Sequence, residues 1–317
     1  MNKHIKSKHS PSPPPPPPPT TTPRPTPPPP TPPTPLEKPI IQWVGGKQAL
    51  VKPIVETSFP NEIYGDYHEP FVGGGGMLLG VLSHNDIKIH GNVYAYESNE
   101  CLINMYKNVQ QHPRELCEKL VKLSQEYNKS DNTIKMVRHD GMTAQKAYYY
   151  WIRKQFNEMK DKSTLQASTY FMFITKTCFR SVLCFNKRNP NTLSCGFGNA
   201  KKVSFDEKHI HRVSSLIQKV RFIHNDFEES LSQVKNSNDF VYMDPPYYQT
   251  YSAYTSDGFN MKHHTTLFDI TKNLLCPFVM SNSDEKFVKE CFQNYTITAI
   301  DVKKTVNGVK RHELLIY

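Results

Sequence analysis

The chain has 317 residues, a formal net charge of +10 and seven cysteines. It contains no run of the roughly eighteen apolar residues that a membrane span requires, and no apolar segment follows the N-terminal Lys and His residues. Membrane-spanning and secreted classes are therefore not expected, and the reading is a soluble intracellular protein. The cysteine number is odd, with no C-x-x-C pair and no His at zinc-ligand spacing, so free thiols in a reducing compartment are expected rather than a disulfide scaffold or a zinc site. The basic balance suits a polyanionic partner, because neutralising its charges releases condensed counterions.

Of the 26 prolines, 18 precede Ile40, in runs such as Pro13 to Pro19. Residues 1–38 have no apolar periodicity to bury and read as a solvated, extended polyproline segment, either a tether or a docking site for a proline-binding partner. Folding starts near Pro39. Gln42-Trp43-Val44-Gly45-Gly46-Lys47 follows. An aromatic, two glycines and a lysine can cover a bound ligand and bring a cation to its carboxylate; the plainer alternative is a turn anchored by Trp43.

A strand is predicted from Ile63 to Phe71, running into Val72-Gly73-Gly74-Gly75-Gly76 and a helix from Met77. Glycines let backbone approach a ligand closely, and a helix start favours negative charge. The loop is neither G-x-G-x-x-G nor a P-loop. Val93 to Glu97 is a second strand, and Cys101, Leu102, Met105, Tyr106 and Val109 mark a helix. Glu97 stands where an acid holds ribose hydroxyls in nucleoside-binding α/β folds, or it answers the dipole of that helix. This is the start of a β-α-β-α layout with a parallel sheet.

Helical patterns at Pro113 to Tyr127, Thr143 to Met159 and Thr164 to Lys176, then a loop-like region to Val203, form an α-rich insert. Strand signals return at Val220 to Ile223, Asp239 to Met243 and Pro277 to Met280, separated by helices at Lys262 to Leu275 and Glu285 to Phe292. Tyr295 to Val302 and Val309 to Tyr317 read as a hairpin turning at Asn307-Gly308.

Asp244-Pro245-Pro246-Tyr247 directly follows an apolar strand. Such a string arises by chance in roughly one chain per hundred of this length. The end of a sheet strand is where open α/β sheets bind ligands. The prolines remove two N–H donors and keep Asp244 extended. The Asp244 carboxylate and the Pro245 carbonyl are then two acceptors suited to the hydrogens of an exocyclic amine, with Tyr247 a flat surface for a base. The plainer alternative is a stiffened strand exit with a buried Tyr.

Taken in order, Trp43 to Lys47, Glu69 to Gly75, Glu97-Ser98-Asn99 and Asp244 to Tyr247 resemble the Dam-type (D12 class) DNA adenine-N6 methyltransferases, in which W-x-G-G-K, E-P-F-x-G-x-G, D/E-x-N and D-P-P-Y recur. The likeness continues through Thr177-Cys178-Phe179, Asn225-Asp226-Phe227, Tyr254-Thr255 with Gly258-Phe259, Ser281-Asn282 and Glu313-Leu314-Leu315-Ile316. It spans about Ile41 to the C-terminus. Several ordered motifs are far more specific than any one.

The resemblance implies an S-adenosylmethionine-dependent methyltransferase fold, a doubly wound, mostly parallel α/β sheet ending in a β-hairpin, with an inserted α-rich target-recognition domain. The expected segments are 1–38 (tail), 39–111 (cofactor-binding part), 112–204 (insert) and 205–317 (D-P-P-Y part). Trp43, Lys47, Glu97 and Asp244 would bind S-adenosylmethionine, and Phe71, Gly73, Gly75, Asp226 and Phe227 would complete its pocket. Asp244, Pro245, Pro246 and Tyr247 would be catalytic, with no metal. The substrate would be double-stranded DNA, contacted through Phe179, Arg180, Lys187 and Arg188. Two other readings share the same motifs: adenine methylation in RNA, and a DNA-binding protein that has kept the fold without catalysis.

Two features depart from the family pattern. Glu97 stands where Asp is commoner. Members acting on GATC commonly carry N-G-L-x-R after the aromatic that follows T-C, where this chain has Arg180-Ser181-Val182-Leu183-Cys184. A thiol cannot supply the two fixed donors of a guanidinium, so a site other than GATC, or relaxed discrimination, is expected, with Arg180 the base reader. A first prediction concerns the tail. Deleting Met1 to Pro35 should leave specific activity nearly unchanged, because this segment cannot bury apolar surface. Loss of its four cations, Lys3, Lys6, Lys8 and Arg24, should make the salt dependence of DNA binding shallower. A truncated protein that melts several degrees lower would contradict the tether reading.

Overall fold

The computed structural model describes residues 35–129, 141–186, 189–247, 259–306 and 309–317. The expectations for Lys187, Arg188, Tyr254, Thr255, Gly258, the Asn307-Gly308 turn and most of the proline tail lie outside the described residues.

In chain order the elements are α1 (Val51–Ser58), β1 (Glu62–Ile63), β2 (Tyr67–Glu69), α2 (Gly76–Leu82), β3 (Lys88–Ile89), β4 (Val93–Glu97), α3 (Glu100–Gln111), α4 (Pro113–Asn128), α5 (Ala144–Glu158) and α6 (Leu165–Thr177). A 3-10 turn at Phe179–Ser181 leads to β5 (Phe185–Asn186) and β6 (Asn189–Leu193). Then come α7 (Glu207–Leu216), β7 (Val220–His224), α8 (Phe227–Leu231), β8 (Phe240–Met243), α9 (Met261–Lys272), β9 (Phe278–Ser283), α10 (Lys286–Cys291), β10 (Ile297–Val306) and β11 (Val309–Ile316).

Seven strands form one sheet in the order β10-β11-β9-β8-β2-β4-β7. β7, β4, β2, β8 and β9 are parallel, and β11 and β10 are antiparallel. The chain moves outward from β2 through β4 to β7, then returns to the other side of β2 as β8. A crevice opens at such a reversal, outside the carboxyl ends of the strands. Here those ends are Glu69 of β2 and Met243 of β8, so the next residue, Asp244, emerges at the reversal.

The sheet is covered on both faces, as alternation along β8 shows. Phe240 and Tyr242 enter one hydrophobic core with residues of α1 through α7, whereas Val241 and Met243 enter a second core with α8, α9 and α10. A strand buried on both sides reads as a continuous apolar run, which is why it was legible without alternating polarity. The three insert helices share the first core with α3 and α7. Among the described residues, no helix is long and apolar enough to cross a membrane.

The strand predicted from Ile63 to Phe71 is broken in two: β1 pairs with β3, and only β2 joins the main sheet. The break lies at Tyr64-Gly65-Asp66. Gly65 N donates to Asn238 O at 2.8 Å, and a Cβ on Gly65 would lie 2.5 Å from the Asn238 carbonyl carbon. That backbone approach pulls the chain out of the ladder. Three short helices, α1, α7 and α8, were not anticipated. Each of α7 and α8 begins with an aspartate cap, Asp206 accepting from His209 N and Asp226 from Glu229 N.

Candidate active site

The residues that emerge at the sheet reversal form a buried charged cluster. The Lys47 ammonium donates to Asp244 Oδ1 at 2.7 Å and to Gly45 O at 3.0 Å, and it lies 3.7 Å from Glu313 Oε1. The Lys47 and Glu313 side chains are each 7% exposed and Asp244 is 18% exposed, so the approach to the cluster is on the Asp244 side. Glu313 reaches it because β11 runs antiparallel to β9, placing Glu313 opposite Ser283 at the carboxyl end of β9. Lys47 Nζ also stands 4.7 Å from the centre of the Tyr247 ring. The ring that was expected to offer a flat surface thus carries a cation on it.

Burial pushes the Asp244 carboxyl up to about 6; Lys47 opposes that rise and Glu313 adds to it. Nearby, burial pushes Glu69 up to about 8, although Tyr67 donates its hydroxyl to Glu69 Oε2 at 3.0 Å. At neutral pH, Glu69 is therefore mostly neutral and Asp244 mostly ionised. Two carboxyls at adjacent strand ends with separated titrations are a common signature of a reactive centre.

The glycine loop forms the second wall. Val72 N donates to Tyr96 O, Gly75 N to Val72 O, and the Tyr106 hydroxyl to Gly74 O at 2.6 Å. Gly75 is left-handed (φ 73°), and a Cβ there would lie 2.5 Å from the Tyr106 oxygen, so only glycine fits. Trp43 packs on this loop, its Cβ 2.6 Å from where a Gly74 Cβ would stand. Glu97 ties the loop to the end of β4. Its Oε2 accepts from Gly73 N at 3.0 Å and its Oε1 from Asn99 N at 3.1 Å, and burial raises its titration. Phe71 stacks on Phe227 with centroids 5.9 Å apart, and Phe259 meets both rings at 6.1 and 5.5 Å. Asp226 is exposed and spends one oxygen on the α8 cap, 2.9 Å from Glu229 N.

The structure thus gathers Trp43, Phe71, Gly73, Gly75, Glu97 and Phe227 around one loop, and Lys47, Asp244, Pro245, Pro246 and Tyr247 around another. An acid at a strand end, an aromatic group and a glycine loop together suit a nucleoside. Two carboxyls received no role from the sequence. Glu69 was quoted only within the glycine motif and Glu313 only within a terminal apolar strand. The available signal was the presence of an acid in each otherwise apolar segment.

On the insert, Phe179 is 56% exposed and the Arg180 guanidinium lies 5.2 Å from its ring. Arg180 and Ser181 are both left-handed, at φ 54° and 55°. Two consecutive residues with a Cβ in that region are uncommon, and each costs of order 1 kcal/mol. These are the positions at which the N-G-L-x-R pattern has Asn-Gly, residues that adopt this backbone readily. Phe179 N donates to Gly196 O and Val182 N to Phe179 O, which holds the turn. Cys184 is half-buried, and its carbonyl accepts from Ser194.

Among the described residues, one group has metal-ligating chemistry. Asp66, His68 and Asp239 offer ligand atoms within 4.8 Å of one another. They lie at the amino end of the sheet, away from Asp244. Asp239 Oδ1 accepts from Asp66 N, Asp66 Oδ1 accepts from Asn92 N, and His68 Nδ1 pairs with the Tyr96 hydroxyl, so the group joins three chain segments.

Comparison with known proteins matches residues 43–306 to the family described as D12 class N6 adenine-specific DNA methyltransferase. The chain is 29% identical to Type II methyltransferase M.MjaIII of Methanocaldococcus jannaschii, over 88% of this chain and 98% of that protein. It is 25% identical to Retron Ec67 DNA adenine methylase of Escherichia coli, over 86% and 87%. It is 27% identical to Type II methyltransferase M1.LlaDCHI of Lactococcus lactis subsp. cremoris, over 86% and 90%.

Proposed function

The chain belongs to the D12 class N6 adenine-specific DNA methyltransferases, and from that premise we propose that Asp244 and the Pro245 carbonyl accept the amino hydrogens of a flipped-out adenine. S-adenosylmethionine, the methyl donor that membership implies, supplies an electrophilic methyl carbon. The residues present fit it. Glu97 is the acid for a ribose diol, Phe71, Phe227 and Phe259 offer aromatic surface for a purine, and the glycine loop beneath Trp43 allows close backbone approach.

The adenine amine is a poor nucleophile because its lone pair is delocalised into the ring. Accepting its hydrogens at Asp244 and the Pro245 carbonyl restores the lone pair to nitrogen. As nitrogen bonds the methyl carbon, the electron pair of the broken carbon–sulfur bond stays on sulfur. The positive charge growing on nitrogen is then stabilised by the Asp244 carboxylate, which is also placed to take the departing proton. Inside a duplex the amine is out of reach, so the base must be flipped out at a cost of a few kcal/mol. Stacking on Tyr247 returns about 1–3 kcal/mol of it. The single observation that supports this reading is an ionisable acceptor, Asp244, standing at the sheet reversal with its exposed side toward the approach.

Site choice is assigned to the insert. Phe179 and Arg180 project at a held turn, and a guanidinium can pair bidentately with guanine. Cys184 offers no such donors, so the methylated site differs from GATC or is read with relaxed discrimination. Methylated positions mapped genome-wide after expression in a methylation-free host test this. Arg180→Ala should relax one base position, by about 1–3 kcal/mol of discrimination. Strict GATC methylation that survives the substitution would refute the assignment.

A further inference from the structure

We propose that Lys47 moves between two carboxylates during the catalytic cycle, closing Asp244 in the free enzyme and passing to Glu313 when the target base arrives, with Glu313 the positioning residue that receives it. The inference rests on the reading of Asp244 as the amine acceptor. In the structure one oxygen of that acceptor is taken. Lys47 Nζ lies 2.7 Å from Asp244 Oδ1, and it also stands 4.7 Å over the ring on which the base would stack. One ammonium thus competes for both the carboxylate and the aromatic face that the adenine requires.

On a carboxylate a neutral amine is a weaker donor than an ammonium, because only the ammonium adds the attraction of opposite charges to the hydrogen bond. An incoming base therefore cannot displace Lys47 unless the ammonium has somewhere else to go. Leaving it unpaired is ruled out by cost, since a stranded buried charge is strongly destabilising. Glu313 is the alternative. Its side chain is 7% exposed, its Oε1 lies 3.7 Å from Lys47 Nζ, and the Tyr247 side chain also interacts with this carboxylate. A movement of about 1 Å brings that oxygen into ordinary charge-assisted contact. Gly45 O, 3.0 Å from Nζ, can hold the ammonium through the swing. The lysine remains paired throughout, so the exchange costs little while both obstructions are removed together. The same arrangement keeps the reactive acceptor covered until a base competes for it.

The test is steady-state kinetics of the full chain on a duplex oligonucleotide that the wild type methylates, for wild type, Glu313→Gln, Lys47→Met and the double variant. Glu313→Gln keeps the shape and removes the charge that receives Lys47. It should lower kcat/KM for DNA by about tenfold or more, the scale of a lost charge-assisted partner. Its Kd for S-adenosylmethionine should change far less than kcat/KM, since Glu313 lies away from Glu97, Trp43 and the glycine loop. With Lys47→Met the obstruction is gone, so adding Glu313→Gln should cost no more than about twofold, a strong departure from additivity. Equal losses in both backgrounds would overturn the exchange while leaving the function intact. A wild type that methylates no DNA would overturn the underlying reading instead. A further measurement covers the case in which a variant fails to fold. In wild-type protein with labelled lysine, the Lys47 ammonium resonance should move on addition of the duplex but not of one carrying purine, which lacks the amino group, at the target position. A resonance that does not move with either duplex would also overturn the exchange.

Discussion

Asp244→Ala will lower methyl transfer to DNA by at least about 10²-fold, the scale for removing one preorganised group that stabilises developing charge. The loss should fall on kcat, because the bond it removes strengthens only as charge grows on the amine nitrogen. With the cofactor side of the pocket assigned to Glu97, Trp43 and the Phe71 cluster, affinity for S-adenosylmethionine is expected to change far less than kcat. The substitution also leaves Lys47 beside Glu313 alone, which is 3.7 Å away and able to take it. Protein yield and cooperative unfolding should therefore persist. Turnover within a few-fold of wild type would remove Asp244 from its assigned role.

Activity will fall on the acid side of about pH 6, the value to which burial raises Asp244. The acceptor works only as a carboxylate, so below that point kcat should drop about tenfold for each pH unit. Because Lys47 holds this carboxyl down, Lys47→Met should move the acid limb to higher pH. Glu313 acts in the opposite sense, so Glu313→Gln should move it to lower pH. Stability runs the other way. The folded protein binds more protons than the unfolded chain between 3.8 and about 6 at Asp244 and between 4.5 and about 8 at Glu69. A carboxyl with a raised folded-state value contributes less to stability as pH rises through those windows. Pairing the pH–rate profile with thermal melts separates the two effects, since the rate should rise through about pH 6 while stability falls there and on to about pH 8 as Glu69 ionises.

The layout of the sheet was legible because its central strands β2, β8 and β9 are buried on both faces, and because Glu69 and Glu97 end β2 and β4 and Asp244 follows β8. Sequence periodicity did not reveal α1 or α8. α1 and α8 are only eight and five residues long, too short for a full periodic pattern, whereas α7 was signalled by Ile210, Val213 and Ile217 at helical spacing after the Asp206 cap and was overlooked. The break between β1 and β2 depends on Asn238, far away in sequence, so no local pattern at Gly65 could announce it. The same holds at the site. Lys47 is expected from the sequence to bring a cation to the cofactor carboxylate, and its contacts with Asp244 and Glu313 have no signal there, because a sequence shows the residue but not its partners. Only the antiparallel register of β11 brings Glu313 to Lys47 and Asp244. The two left-handed residues, Arg180 and Ser181, were equally hidden, since neither type signals that backbone.

This chain methylates N6 of adenine in DNA, and mass spectrometry of nucleosides is the direct measurement of that activity. Duplex DNA and a matched RNA, each incubated with the full chain and methyl-labelled S-adenosylmethionine, are digested and analysed in parallel. Label should appear in N6-methyldeoxyadenosine from the duplex and should vanish with Asp244→Ala. Label confined to RNA, carried on another base, or retained by the Asp244→Ala protein would contradict it.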